Sequence, residues 1–168
     1  MLTVIIGENK SGKSDFAENY VMKQGKDRIY LATMIPYDKE AGSRIERHRR
    51  MREGRGFVTI ERAMDIKGAP VPAGCSLLLE DMCNLVANEL FEERGGGMAA
   101  VYEGIDALLG RCCNLTVVSN TFESFGELSE ETQAYVKCLY EVNGFLEERS
   151  DVLIHMEGGM PGVLKGSI

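Results

Sequence analysis

Five short apolar runs punctuate the chain: Leu2–Ile6, Arg28–Thr33, Ser76–Glu80, Leu115–Ser119 and Val152–Met156. They show almost none of the polar alternation of a half-solvated strand, so each predicts a strand buried on both faces, as in the middle of a covered parallel sheet. Longer amphipathic segments lie between them. Ser14–Lys23 places Phe16, Ala17, Tyr20 and Val21 on one stripe, and Gly95-Gly96-Gly97 separates a helical segment Met82–Glu93 from another at Met98–Arg111. A last long helix is predicted after Ser129, an N-cap with Glu130 and Glu131 in the first turn. Its Tyr135, Leu139, Val142 and Leu146 form a core-facing stripe. Strand–helix alternation of this kind implies right-handed βαβ units. The expected fold is α/β, a mostly parallel sheet with helices on both faces, in a single domain over residues 1–168 with no repeat or linker.

Composition narrows the classes. The 168 residues carry a net charge of −7, the wrong sign for a protein that coats nucleic acid, so no nucleic-acid partner is expected. No run approaches the roughly 18 apolar residues that span a bilayer. The N-terminal apolar run is too short for a signal peptide and lacks a basic leader, so a cytoplasmic protein is expected. Five cysteines form no Cys-x-x-Cys pair and read as buried free thiols. The two histidines stand at no ligand spacing from them, which argues against zinc.

Gly7-Glu8-Asn9-Lys10-Ser11-Gly12-Lys13-Ser14 matches the pattern G-x-x-x-x-G-K-[ST] in full, after an apolar strand and at the start of an amphipathic helix. The loop would aim backbone N–H groups at a polyphosphate, and its glycines permit the close approach. Lys13 would reach the β- and γ-phosphates, and the Ser14 hydroxyl would help hold Mg²⁺. The expected domain is therefore of the P-loop NTPase type. A carboxylate at the end of a neighbouring strand should complete the metal site. Leu77-Leu78-Leu79-Glu80-Asp81 fits, with Glu80 the better metal candidate and Asp81 either a ligand or an N-cap.

From Arg44 to Arg55 six arginines stand against two glutamates. Read as a helix, the segment has little apolar stripe beyond Ile45 and Met51, while Arg44, His48 and Arg52 share one face. Arginine forks suit phosphate oxygens. A histidine among them is held neutral and nucleophilic, or is a bystander on a solvated basic face. His155, in the last predicted strand, reads as structural.

These features together resemble a known family. The P-loop ending Ser11-Gly12-Lys13-Ser14, a strand ending Ala32-Thr33, Arg44-Ile45-x-x-His48 followed by arginines, and Thr59-x-Glu61 are similar to adenosylcobinamide kinase/adenosylcobinamide-phosphate guanylyltransferases of cobalamin biosynthesis. Leu78-Leu79-Glu80 with Asn88, the strand ending at Asn120, and Val142-Asn143 extend the likeness, in order, over most of the chain. The resemblance implies phosphoryl transfer from ATP or GTP to the aminopropanol hydroxyl of adenosylcobinamide. GMP transfer from GTP to that phosphate follows, through a covalent histidine–GMP intermediate. His48 is the position that matches the guanylylated histidine. By the same resemblance Thr33, Met34, Ile35, Arg49, Arg52, Glu61 and Glu80 would contact nucleotide, alongside Gly7, Glu8, Asn9, Lys10, Ser11, Gly12, Lys13 and Ser14. A corrinoid acceptor and a homotrimer are implied as partners.

Two stretches depart from the family pattern. Asn120 is followed by Thr-Phe-Glu-Ser-Phe-Gly-Glu-Leu through position 128 rather than by Glu and a Gly-rich, Pro-containing loop, and Gly144 follows Val142-Asn143 where the family carries a polar residue. Two other functions fit the residues: a P-loop small-molecule kinase without guanylyl transfer, or a GTP-binding regulator or degenerate paralogue.

Overall fold

The computed structural model describes residues 1–25, 27–37, 39–122 and 128–168, and within that range the side chains at 39–41, 44, 48 and 51 are not described. One seven-stranded sheet runs through it. The strands are β1 (Leu2–Gly7), β2 (Arg28–Ala32), β3 (Phe57–Glu61), β4 (Ser76–Glu80), β5 (Asn114–Val118), β6 (Val152–Glu157) and β7 (Met160–Lys165). They stand in the order β3-β2-β4-β5-β1-β6-β7, parallel except for the final hairpin, in which β7 runs antiparallel to β6. The helices are α1 (Lys13–Met22), α2 (Lys39–Arg52), α3 (Met82–Phe91), α4 (Gly97–Arg111) and α5 (Glu130–Arg149).

Strict alternation along the central strands explains why they read as continuous apolar runs. Leu2, Val4, Ile6, Leu77, Leu79, Leu115 and Val117 face a core shared with α3, α4 and α5. Ile5, Leu78, Val118 and Ile154 face the opposite core, which α1 closes with Ala17 and Val21. Both faces are dry, so each such side chain contributes roughly 1.5–3 kcal/mol on burial. The α5 stripe is as expected, with Leu139, Val142 and Leu146 fully buried, and Ser129 caps the helix by accepting from the Thr132 backbone N–H at 3.2 Å.

The two edge strands escaped the hydrophobic pattern. In β3, Val58 is 61% exposed, and every residue of β7 is exposed. Neither segment carries a two-sided apolar run, because each occupies an edge with little to bury against. The order places β5 between β1 and β4. The C-terminal ends of these strands therefore meet along one rim, where the phosphate loop, Asn120 and the Glu80-Asp81 pair emerge.

Candidate active site

Gly7 leaves β1 at a point where a Cβ would lie 2.5 Å from the Met156 carbonyl oxygen and 2.9 Å from Ser11 Oγ, so no larger residue fits. The loop then climbs to Gly12, whose φ of 87° suits glycine and sets it as the N-cap of α1. Lys13, only 6% exposed, folds over the loop. Its Nζ donates to the carbonyls of Gly7 (3.0 Å) and Glu8 (2.5 Å) and lies 3.4 Å from Ser11 Oγ. Burial lowers its pKa below the usual lysine range, against the pull of Glu80 and Asp81.

Ser14 Oγ donates to Glu80 Oε1 at 2.6 Å, while Glu80 Oε2 is buried with no hydrogen-bond partner among the described residues. Desolvation, then the neighbouring Asp81 charge, pushes the Glu80 pKa up to about 8. A hydroxyl and a carboxylate with an unused buried oxygen form the hard-oxygen donor set that Mg²⁺ takes when substrate phosphates supply further ligands. Among the described residues no three His, Cys, Asp or Glu side chains converge to hold a metal by themselves. Asp81 resolves the ambiguity in its sequence reading. Its Oδ1 accepts from the Asn84 backbone N–H at 2.7 Å, capping α3, and burial also raises its pKa.

A cleft with about 850 Å³ of open space, solvent included, lies over this rim. Asn9, Lys10, Lys13, Ser14, Met34, Arg52, Glu61 and Glu80 all line it, bringing together candidates from five separate stretches of sequence. Arg52 is 6% exposed, and its guanidinium carbon stands 3.5 Å from the centre of the Tyr30 ring. Its Nε and Nη1 have no hydrogen-bond partner among the described residues. The basic segment is a helix, as expected, but it is not solvated throughout: its last residue is an anchored, desolvated cation beside the cleft.

Other candidates lie elsewhere. Thr33 is fully buried, its hydroxyl donating to the Asp81 carbonyl at 2.8 Å and accepting from the Asp81 N–H at 2.9 Å, so it joins β2 to β4 and leaves no free side chain for a ligand. Ile35 lines none of the clefts described here. Arg49 pairs with Glu61 in an adjoining hollow that also contains Met34 and Ile45. Glu8 and Ser11 face a different cavity, together with His155, which is half-buried rather than part of the core. The histidine at position 48 lies within α2, but its side chain is outside the described residues.

Two supports were only partly legible. Asn88 Nδ2 donates to the carbonyls of Thr33 (2.8 Å) and Ala63 (3.0 Å), tying together the loops after β2 and β3. Asn143 accepts from Ser119 Oγ at 2.6 Å and donates to the Asn120 carbonyl at 3.0 Å. A polar residue bordering an apolar helix stripe is the sequence signal for such a strut. Tyr30, Asn84 and Val118, which also line the cleft, gave no such signal.

Comparison with known proteins converges with this geometry. A family described as cobinamide kinase / cobinamide phosphate guanyltransferase matches residues 3–164. The chain is 29% identical over 174 residues to the bifunctional adenosylcobalamin biosynthesis protein CobP of Pseudomonas aeruginosa, covering 99% of this chain and 98% of that protein. Among solved structures, the RadB recombinase aligns with a TM-score of 0.50 at 18% identity, over 92% of this chain and 73% of that one, a likeness of fold alone. No helix among the described residues is long and apolar enough to cross a membrane. The P-loop, the carboxylate strand facing it and a match over nearly the whole sequence agree: the chain belongs to the cobinamide kinase / cobinamide phosphate guanyltransferase family.

Proposed function

We propose that the protein acts on cobinamide in two steps, a phosphoryl transfer to its alcohol and a guanylyl transfer to the resulting phosphate through a covalent histidine–GMP intermediate on His48. The observation that carries the reading is the Ser14–Glu80 pair set beside Lys13 under one cleft with Arg52 and Glu61.

The nucleotide lies with its phosphates in the loop of residues 7–14, where backbone N–H groups and Lys13 hold the β- and γ-oxygens. Ser14 and Glu80 would hold Mg²⁺, which when bound neutralises charge on the phosphates. Lys13 and Arg52 lie in a partly desolvated wall, where each charge–charge contact is stronger than in water. In the guanylyl half, the His48 imidazole attacks the α-phosphorus of GTP and pyrophosphate departs. The phosphate oxygen of the acceptor then displaces His48 from that phosphorus, splitting one difficult displacement into two. Glu61 and the apolar side chains of Met34 and Ile45 form a hollow suited to a guanine base, whose N–H edge pairs with a carboxylate. GTP thus serves the second step, and either ATP or GTP the first. Residues 1–168 act as one P-loop domain, and the protein assembles as a homotrimer.

Product analysis tests the reading. With Mg²⁺, cobinamide and γ-labelled nucleotide, label should move to the corrinoid. With cobinamide phosphate and α-labelled GTP, labelled GMP should join it as pyrophosphate is released. Phosphorylation without the second product would reduce the protein to a plain kinase. GTP recovered intact in both assays would make it a nucleotide-binding regulator.

A further inference from the structure

The end of α2 is tied to the helix that follows the phosphate loop. Glu18 lies on α1 one turn after Ser14, on the same face of the helix. It is buried, and its Oε2 accepts from Nη1 of Arg55, just past the end of α2, at 2.5 Å. Burial raises the Glu18 pKa, and Arg55, then Arg52, oppose the rise, so both guanidinium groups act on this one carboxylate. The backbone closes the same turn, with the Arg55 N–H donating to the Arg52 carbonyl at 3.0 Å. Arg28 donates to the carbonyls of Arg55 (3.0 Å) and Met22 (2.9 Å), which joins the turn to the far end of α1.

This latch ends beside a cation with open donors. Arg52 lines the nucleotide cleft, and its Nε and Nη1 have no partner among the described residues. The Tyr30 ring attracts the guanidinium through the charge of its face, which leaves the fork free to turn within the ring plane. Other charges must therefore set where the open N–H groups point. The cleft lining carries Glu61, Glu80 and Asp81 against Lys10, Lys13 and Arg52. With acids and bases matched in number, the placement of each cation decides how well a polyphosphate is held.

We infer that Glu18 is a positioning residue for nucleotide binding: through Arg55 and the turn at residues 52–55 it directs the Arg52 guanidinium toward the phosphates. The inference rests on the proposed reading of residues 7–14 as the phosphate cradle. Charge alone predicts the opposite sign. A carboxylate near a polyphosphate repels it, so removal of a mere neighbouring charge would tighten GTP binding. Removal of the group that orients Arg52 weakens it.

GTP titrations of the full-length protein by calorimetry, arranged as a double-mutant cycle, test the inference. Glu18→Gln should raise the Kd for GTP on the order of 10-fold. Arg55→Met, which removes the partner from the more exposed side, should act in the same direction and carries the cycle if Glu18→Gln does not fold. In an Arg52→Met background either change should add less than about twofold, because the group being positioned is gone. A Kd unchanged or lowered by both changes would overturn the inference. So would an equal loss with and without Arg52, the mark of a purely structural role. Parental affinity in Lys13→Ala would instead remove the cradle, and the inference with it, in a protein whose Glu18 is intact.

Discussion

The phosphate loop and the basic helix α2 contribute to the same cleft by opposite means. In the loop, Lys13 is 6% exposed and fixed by two backbone carbonyls, and Ser14 is fixed by Glu80, so charge and hydroxyl are set before any ligand arrives. In α2, the side chains of Glu46, Arg49 and Arg50 are 50%, 48% and 71% exposed, and their ion pairs are of the surface kind, worth little. Among its described side chains only Arg52, at its end, is buried, against Tyr30, with Phe57 edge-on to the same ring. The comparison teaches that the shared phosphate chemistry is built into the sheet rim. The histidine proposed for guanylyl transfer lies on a helix whose described side chains, Arg52 apart, are exposed or half-buried.

The largest effect should come from the rim. Lys13→Ala should lower kcat of both transfers on the order of 10²–10³-fold, the cost of deleting one preorganised charge-stabilising group, while the thermal midpoint hardly moves. Rates within a few-fold of the parent would show that the buried ammonium is not where charge develops.

Arg52→Met sharpens the contrast inside α2. Loss of a hydrogen-bonding cation should cost about 1.5–3 kcal/mol of GTP affinity by calorimetry, whereas Arg50→Met on the exposed face should cost nearly nothing. Equal effects would erase the distinction between the anchored end and the rest.

Asn143→Ala removes the strut beneath Asn120. With Ser119 Oγ and the Asn120 carbonyl left without their partner, denaturant unfolding should show a loss of about 1–3 kcal/mol. A change below a few tenths would mean that the pair is already satisfied by solvent.

The last effect is a slope, spread over several pH units. Folded Glu80 keeps its proton to about pH 8, against an ordinary value of 4.5. The folded state therefore holds the extra proton between those values, so without Mg²⁺ stability falls as pH rises from about 4.5 to about 8 and levels off above. One proton limits the slope to about 1.4 kcal/mol per pH unit. Glu80→Gln should flatten it; an identical slope in that variant would assign it to other groups.

The rim was readable because its signals are local. A glycine pattern between an apolar strand and a helix, and a carboxylate at the end of Leu77-Leu78-Leu79, each need only their neighbours for interpretation. What escaped depends on contacts distant in sequence. The Thr33 hydroxyl bonds the Asp81 backbone across 48 residues and so links two strands. Arg52 resembled its exposed neighbours in sequence, and only the Tyr30 ring, from another strand, distinguishes it. Edge strands β3 and β7 lack two-sided burial, so the pattern that disclosed the central strands had nothing to register there. His155 was read as structural because β6 is apolar around it, yet its half-buried ring lines a cavity completed by the phosphate loop and residues 121–122. The departures at 121–128 fall partly on residues 123–127, outside the described residues.

The most direct test of the central claim is to incubate the protein with Mg²⁺ and α-labelled GTP, denature it and measure label retained on the chain. The account predicts acid-labile, base-stable label that disappears in His48→Ala while phosphoryl transfer to cobinamide persists. No retained label, or label undiminished in His48→Ala, would contradict a histidine–GMP intermediate on α2.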